Sequence, residues 1–231
     1  MWHTAAALLV LLASPPASGV YFEQTVVSSV EGRAGGPGVS SRVWHGGGGR
    51  MRMEAGGAGG GAALILRLGE GKAWRLDPEQ KTATVLDVER MRERSRLDLG
   101  LAGQLLGGED APRLKELPGA KVIAGYRCRG YRLSAGTAVI ELFLTRDLPV
   151  GIEAFTDFLE WSGASETLAP LLREVKTLRG FPLQTRSRVD VLGEVHETVS
   201  TVTRVVVGPQ RAGLFEPPSG YRLVNAPASG E

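Results

Sequence analysis

The feature that most constrains this chain is a succession of short runs with a period of two, each stopped by glycine or proline. Ala62–Leu68, Lys72–Asp77 and Lys81–Asp87 are separated by Gly69-Glu70-Gly71 and by Pro78-Glu79-Gln80. Side chains alternate across a strand, so Leu64, Leu66 and Leu68 share one face while Ile65 and Arg67 share the other, and Trp74 and Leu76 oppose Arg75. The spacing predicts a β-meander with one continuous apolar face. Val20–Val30 is rich in β-branched and aromatic residues and lacks a helical stripe, which reads as a long first strand. Ser41–His45 and Arg50–Glu54 flank Gly46–Gly49, either two strands with a flexible link or one strand bent at a bulge. Gly56–Gly61 reads as a second flexible hinge.

Beyond a loop punctuated by Pro112 and Pro118, Lys121–Leu133 and Thr137–Thr145 form the next expected hairpin, with Ala138, Ile140, Leu142 and Leu144 opposing Glu141. Phe181–Leu192 and Glu194–Val207 form the last, around Gly193. The period changes to the helical one in three places. These are Val88–Leu106, Glu153–Trp161 with Phe155, Phe158 and Leu159, and Ser165–Thr177 with Leu168, Leu171, Leu172 and Val175, the last two parted by Gly163. About eight to ten antiparallel strands with helical insertions make an α+β chain. A twisted sheet of that size curves into an incomplete β-barrel, with the helices covering its concave, apolar face.

The first residues point to a compartment. Met1–Gly19 carries no Asp, Glu, Lys or Arg, runs apolar from Ala5 to Ala13, is broken by Pro15-Pro16, and offers Ala17 and Gly19 as the small residues of a cut before Val20. Residues 1–19 are therefore expected to be a signal peptide, 20–224 a single domain and 225–231 a disordered tail. Arginine outnumbers lysine 22 to 5, the codon bias of a GC-rich bacterial genome, and export then means the periplasm or beyond. Cys128 is the only cysteine, so stability has to come from a core rather than a disulfide. A hydrophobic share of 42% can supply one, and disorder throughout is excluded. The formal net charge is +2 with the signs interspersed, which argues against a nucleic-acid partner. No later segment is long and apolar enough to read as a membrane helix.

The chemistry of catalysis is sparse. His45 and His196 are the only histidines after residue 19, too few for a metal site or a Ser/His/Asp triad. His196-Glu197 opens like a zinc-protease motif, but Ser200 stands where its second histidine must be. Gly69-Glu70-Gly71-Lys72 lacks the leading glycine and the Ser or Thr of a phosphate loop, and reads as a hairpin turn. The alternating charges of Asp87–Asp98 suit a solvated helix face or a partner surface. Cys128 between Arg127 and Arg129 has no resolving cysteine and reads as a strand residue. No enzyme, cofactor or metal is expected.

Four patterns taken together carry a resemblance. Trp74-x-Leu76-Asp77-Pro78 with Lys81-Thr82, Ala124-Gly125-Tyr126-x-Cys128-x-x-Tyr131, Gly180-Phe181-Pro182-Leu183 and Phe215-x-Pro217-Pro218-x-Gly220-Tyr221 resemble an exported bacterial family of unknown function. That family is related to the periplasmic lipoprotein carriers and outer-membrane lipoprotein receptors, the LolA/LolB-like group. The resemblance implies a half-barrel closed by helices over a hydrophobic cavity that takes acyl chains, and it brings no catalytic residues. A soluble periplasmic carrier of a lipid or acylated protein is the expected function. Leu64, Leu66, Trp74, Ile140, Leu142, Phe155, Phe158 and Leu172 are the candidate lining residues. The alternative is a cell-envelope interaction or structural module whose apolar interior is only its core, meeting a protein partner through a strand edge or the charged helix.

Overall fold

A computed structural model describes residues 18–56, 61–89, 93, 111–161 and 169–226. One sheet holds every strand among the described residues. β1 (Ser18–Val30) carries the two-residue β2 (Arg33–Ala34) at its far end, and β3 (Val39–Gly46), β4 (Arg50–Ala55), β5 (Ala63–Arg67), β6 (Lys72–Asp77) and β7 (Thr82–Val85) follow as an antiparallel meander. β8 (Arg113–Ile123), β9 (Tyr126–Ala135) and β10 (Ala138–Thr145) form a second meander. The helices α1 (Ile152–Trp161) and α2 (Ala169–Lys176) come next, then β11 (Phe181–Val191), β12 (Glu194–Pro209) and a short last strand, β13 (Arg222–Asn225).

The order across the sheet is β13-β7-β6-β5-β4-β3-β1-β12-β11-β10-β9-β8. β1 pairs with β12 from Ser18 opposite Pro209 to Val30 opposite His196, with a register shift at Glu23/Gln24, and its other edge pairs with β3. The first strand and the last long one thus lie side by side in mid-sheet, with one meander on each flank. The sheet is mostly strand, curved and unclosed, ending at β13 and β8.

Several sequence expectations are corrected. β13 runs parallel to β7, with Arg222 opposite Thr82 and Asn225 opposite Val85, so the sheet is not wholly antiparallel and Asn225 ends a strand rather than opening a tail. Four residues are too short for a periodic signal, and their partner lies far back in the chain. The loop expected around Pro112 and Pro118 is largely β8, interrupted by a register shift between Glu116 and Ala120 that contains Pro118. An edge strand tolerates proline because its outward N–H groups need no partner. The run Lys121–Leu133 is split by a turn at Ala124-Gly125 into parts of β8 and β9. Gly46–Gly49 is the ordered turn of the β3–β4 hairpin, where Arg50 Nε donates to Gly47 O at 2.8 Å. Residues 1–17, 57–60, 162–168 and 227–231 lie outside the described residues, as does the helix expected over Val88–Leu106 apart from Val88, Glu89 and Glu93.

The expected single apolar face of the first meander is in fact two. Met51 pairs with Leu66 and Met53 with Leu64, which places these four on one face, whereas Ile65 pairs with Trp74 and Ala63 with Leu76 on the other. Alternation fixes the faces within a strand, but the pairing register decides which face of the next strand joins them. The first face belongs to a core with Val20, Phe22, Val43, Ala73, Phe181, Leu183, Val202 and Trp161. The second is capped by Phe215, from the 3-10 turn Ala212–Phe215, which packs with Ile65, Leu76 and Ala83 beside Trp44 and Trp74. A Cβ on Gly46 would stand 2.7 Å from the Phe215 ring, so only glycine lets that ring sit down. Arg50 covers the ring from 5.4 Å. A further cluster joins Leu133, Leu142 and Leu144 to Ile152 of α1 and to Leu171 and Val175 of α2.

Gly180 joins the end of α2 to the sheet. Its φ is +106°, and a Cβ there would lie 2.2 Å from the carbonyl oxygen of Thr145, against which the connection is pressed. Gly193 at the β11–β12 turn has φ +90° with open space around it. Gly180→Ala is therefore expected to cost about 3 kcal/mol or more, from backbone strain and the clash together, and Gly193→Ala only about 1 kcal/mol. Urea denaturation of the two variants checks this, and equal losses would show that the Thr145 contact is not a constraint.

Candidate functional site

The strands that meet at mid-sheet each bring an alternating pair of side chains to one face. β1 contributes Phe22 and Gln24, β3 Val43 and His45, β4 Met51 and Met53, and β12 Ser200 and Val202. β11 adds the stretch from Phe181 to Thr185, where a register shift against β10 between Phe143 and Leu144 disturbs the alternation. Ala154, Phe155 and Phe158 of α1 close the space from the other side. The cavity so formed is about 220 Å³, open at one side, and aromatic and aliphatic for most of its lining.

Three rings organise its inner end. Phe22 and His45 stack at 5.6 Å, Phe22 and Phe181 lie 5.5 Å apart, and His45 meets the Phe181 ring edge-on at 5.7 Å. Burial among these rings pulls the His45 pKa down to about 4, because the imidazolium loses its hydration without gaining a compensating charge. His45 is therefore a neutral aromatic at pH 7. The polar groups gather at the other end, where Ser200 Oγ and Gln24 Oε1 are 3.5 Å apart with Thr185 beside them. The Gln184 side chain is engaged by Thr201 at 2.8 Å and Lys121 at 2.6 Å.

The eight candidate lining residues divide. Phe155 and Phe158 line the cavity. Leu64 and Leu66 lie on the same sheet face, in the core one strand further from it, next to Met53 and Met51. Ile140 and Leu142 pack with Phe155 in the cluster beneath the helices, and Leu172 is buried on α2. Trp74 is on the opposite face, with the Phe215 group. Of the residues that the sequence does not single out, Phe22, Val43, Met51, Met53 and Val202 lie in regularly alternating strands, and Phe181 lies where the alternation is disturbed. The alternation was visible, but the register that brings them together was not.

Other reactive groups are subdued. Cys128 is fully buried, its thiol pushed up chiefly by burial and also by Asp147, and Sγ lies 3.5 Å from Tyr126 O. Asp157 on α1 is raised by burial and by Glu160, with Lys176 opposing. Among the described residues no group of three or more His, Cys, Asp or Glu side chains could hold a metal ion, and no helix is long and apolar enough to cross a membrane.

The architecture is a large, curved, unclosed sheet with a cavity between its middle strands and a helix. The chain belongs to the family described as "Domain of unknown function (DUF4412)", which matches residues 38–221. No curated protein matches it in sequence. Among solved structures it is similar to an uncharacterized conserved protein from Thermus thermophilus, at 12% identity and a TM-score of 0.45, covering 91% of each chain. It is also similar to MucB in complex with MucA(peri), at 14% identity and a TM-score of 0.42, covering 90% of this chain and 57% of that one. A LolA superfamily protein from Nitrosomonas europaea aligns at 11% identity and a TM-score of 0.30, covering 85% and 88%. No residue or activity is carried across from these likenesses.

The neutrality of His45 has a consequence for stability. The unfolded chain takes up its imidazole proton near pH 6.5, whereas the folded chain does so only near pH 4. Stability is therefore full above about pH 6.5 and falls as the pH drops toward 4. Between pH 7 and 5 the loss from this group is about 1–2 kcal/mol. Urea midpoints should fall across that interval in the wild type and stay level in His45→Phe. An equal fall in both would mean that His45 is not the group responsible.

Proposed function

We propose that this chain is an exported, non-catalytic binding or carrier protein whose cavity takes a lipid or the acyl chain of an acylated protein. In this reading residues 1–19 are removed on export to the periplasm, residues 20–224 fold as one domain, and α1 with α2 roofs the concave side of the half-barrel. The observation that carries the reading is the cavity of about 220 Å³ between β1, β3, β4, β11, β12 and α1, apolar over most of its wall and polar at one end. Such a site favours an amphiphile, because each methylene taken from water contributes about 0.8 kcal/mol and the polar end can meet a head group. The neutral His45 and the Cys128 thiol, raised because burial and Asp147 outweigh Lys121, support binding rather than chemistry. Leu64, Leu66, Ile140, Leu142 and Leu172 back this wall and set its shape.

The size of the cavity favours a second reading. Ligand sites are usually about 300–1,000 Å³, and this one is smaller, as it would be in an envelope interaction module whose apolar interior is only a core. Expression of the chain in a bacterial periplasm, purification without detergent, solvent extraction and mass spectrometry against a mock purification separate the two. Stoichiometric lipid is expected. Met53→Trp, which fills the cavity from a half-buried position, should retain lipid about tenfold less well, the loss from displacing about two methylenes of buried contact. A lipid-free extract from the wild type would overturn the carrier reading and leave the interaction module.

A further inference from the structure

A second cleft lies away from the apolar cavity, and its chemistry is the reverse. It measures about 620 Å³ and is lined by Arg127 and Arg129 of β9, by Arg146 and Arg179, and by Glu116 and Asp147, which leaves an excess of two positive charges. Tyr131 and Leu144 form part of its wall.

The fold gathers these arginines for identifiable reasons. Cys128 and Gly130 are buried on one face of β9, and a Cβ on Gly130 would touch the Phe143 ring at 3.0 Å. Alternation then commits Arg127, Arg129 and Tyr131 to the other face. Arg146 directly follows β10, and Arg179 directly precedes Gly180, which is pressed against Thr145 O. The two connecting segments are thereby held together beside β9. The register shift in β8 brings Gly119 and Ala120 to the rim.

Little in the cleft neutralises this charge. Glu116 reaches Arg129 at 3.7 Å, with both side chains more than half exposed, which is a weak pair. Among the described residues Arg127, Arg146 and Arg179 have no ion pair. By contrast, Arg42, Arg132, Arg186 and Arg204 each have a carboxylate partner elsewhere on the sheet. A concave site lined by one sign of charge concentrates counter-ions, and guanidinium forks match the oxygens of phosphate in pairs. Four forks exceed what the two oxygens of one carboxylate can engage, whereas a phosphate ester or pyrophosphate offers enough oxygens and charge.

We propose that this cleft binds a phosphate-bearing ligand with at least two negative charges, held by Arg127, Arg129, Arg146 and Arg179. The site is independent of the apolar cavity and does not need that cavity to hold a lipid. The ligand's phosphate belongs either to a free soluble compound or to a lipid head group, and one set of variants distinguishes them. The full chain is titrated calorimetrically with sodium pyrophosphate against sodium chloride of matched ionic strength. It is also sedimented with phosphatidylcholine vesicles made with and without phosphatidic acid. The variants are Arg127→Gln with Arg129→Gln, and Arg179→Gln, all at exposed positions, with Arg186→Gln outside the cleft as control. Circular dichroism confirms that each is folded.

Binding of pyrophosphate that weakens about tenfold or more in the cleft variants and not in Arg186→Gln is the expected result for a soluble ligand. Binding to phosphatidic acid vesicles alone, with the same dependence on the cleft, supports a lipid head group. Binding to neither probe, or binding that the cleft variants leave unchanged, would falsify the proposal.

Discussion

The ladder between β1 and β12 is the interaction on which the rest of the structure depends. Apart from β13, which adds to the β7 edge from far along the chain, each flank of the sheet is a meander whose strands pair with near neighbours in sequence, and only the β1–β12 ladder joins the two flanks. Joining segments so far apart costs about 3 kcal/mol more than closing a tight hairpin, since about five or six doublings of loop length each add about 0.6 kcal/mol. Burial of Val20 and Phe22 on this strand contributes about 1.5–3 kcal/mol each, enough to offset that cost before any cross-strand pairing is counted. The remote pairing wins because the strand carries core residues, not because its backbone bonds are special.

The apolar cavity exists only because that ladder forms. Phe22 and Gln24 arrive from one end of the chain, Val202 and Ser200 from the other, and His45, Met51 and Phe181 from the neighbouring strands. A wall assembled from both flanks is sensitive to their relative curvature, and the ring cluster of Phe22, His45 and Phe181 bridges the join. The arginine cleft, by contrast, is built within one flank and its connections, from β8, β9 and the segments pressed together at Thr145 and Gly180. Two sites of opposite chemistry thus meet at the Thr145–Gly180 contact, which positions Arg146 and Arg179 for one and leads into Phe181 of the other.

Much of this was legible in the amino-acid sequence, and the limits have a physical pattern. Alternation within a strand located the meander, the hairpins and the helical faces of Phe155 and Phe158, because those signals are local. What alternation could not give was register between strands. One continuous apolar face would put Trp74 with Leu64 and Leu66, yet Ile65 is its partner, and the Phe215 cap that makes its environment apolar comes from a 3-10 turn near the other end of the sequence. β13 was invisible because Arg222–Asn225 is short and its partner remote. Pro118 read as a loop residue because nothing in the sequence marks β8 as an edge, where proline is tolerated. Phe181 belongs to a local sequence pattern, but its meeting with Phe22 depends on the long-range ladder.

The placement of β1 also governs when the fold can close. Of the described strands β1 is synthesised first and its partner β12 next to last, while β3, on its other edge, follows within a few residues. Any process that handles the chain from its amino end, whether a ribosome or a narrow pore, therefore releases the midline of the sheet long before the strand that completes it. Throughout that interval the first meander has an open edge, and the pocket between the flanks does not exist. The sheet's midline ladder can therefore be completed only when almost the whole polypeptide has been delivered.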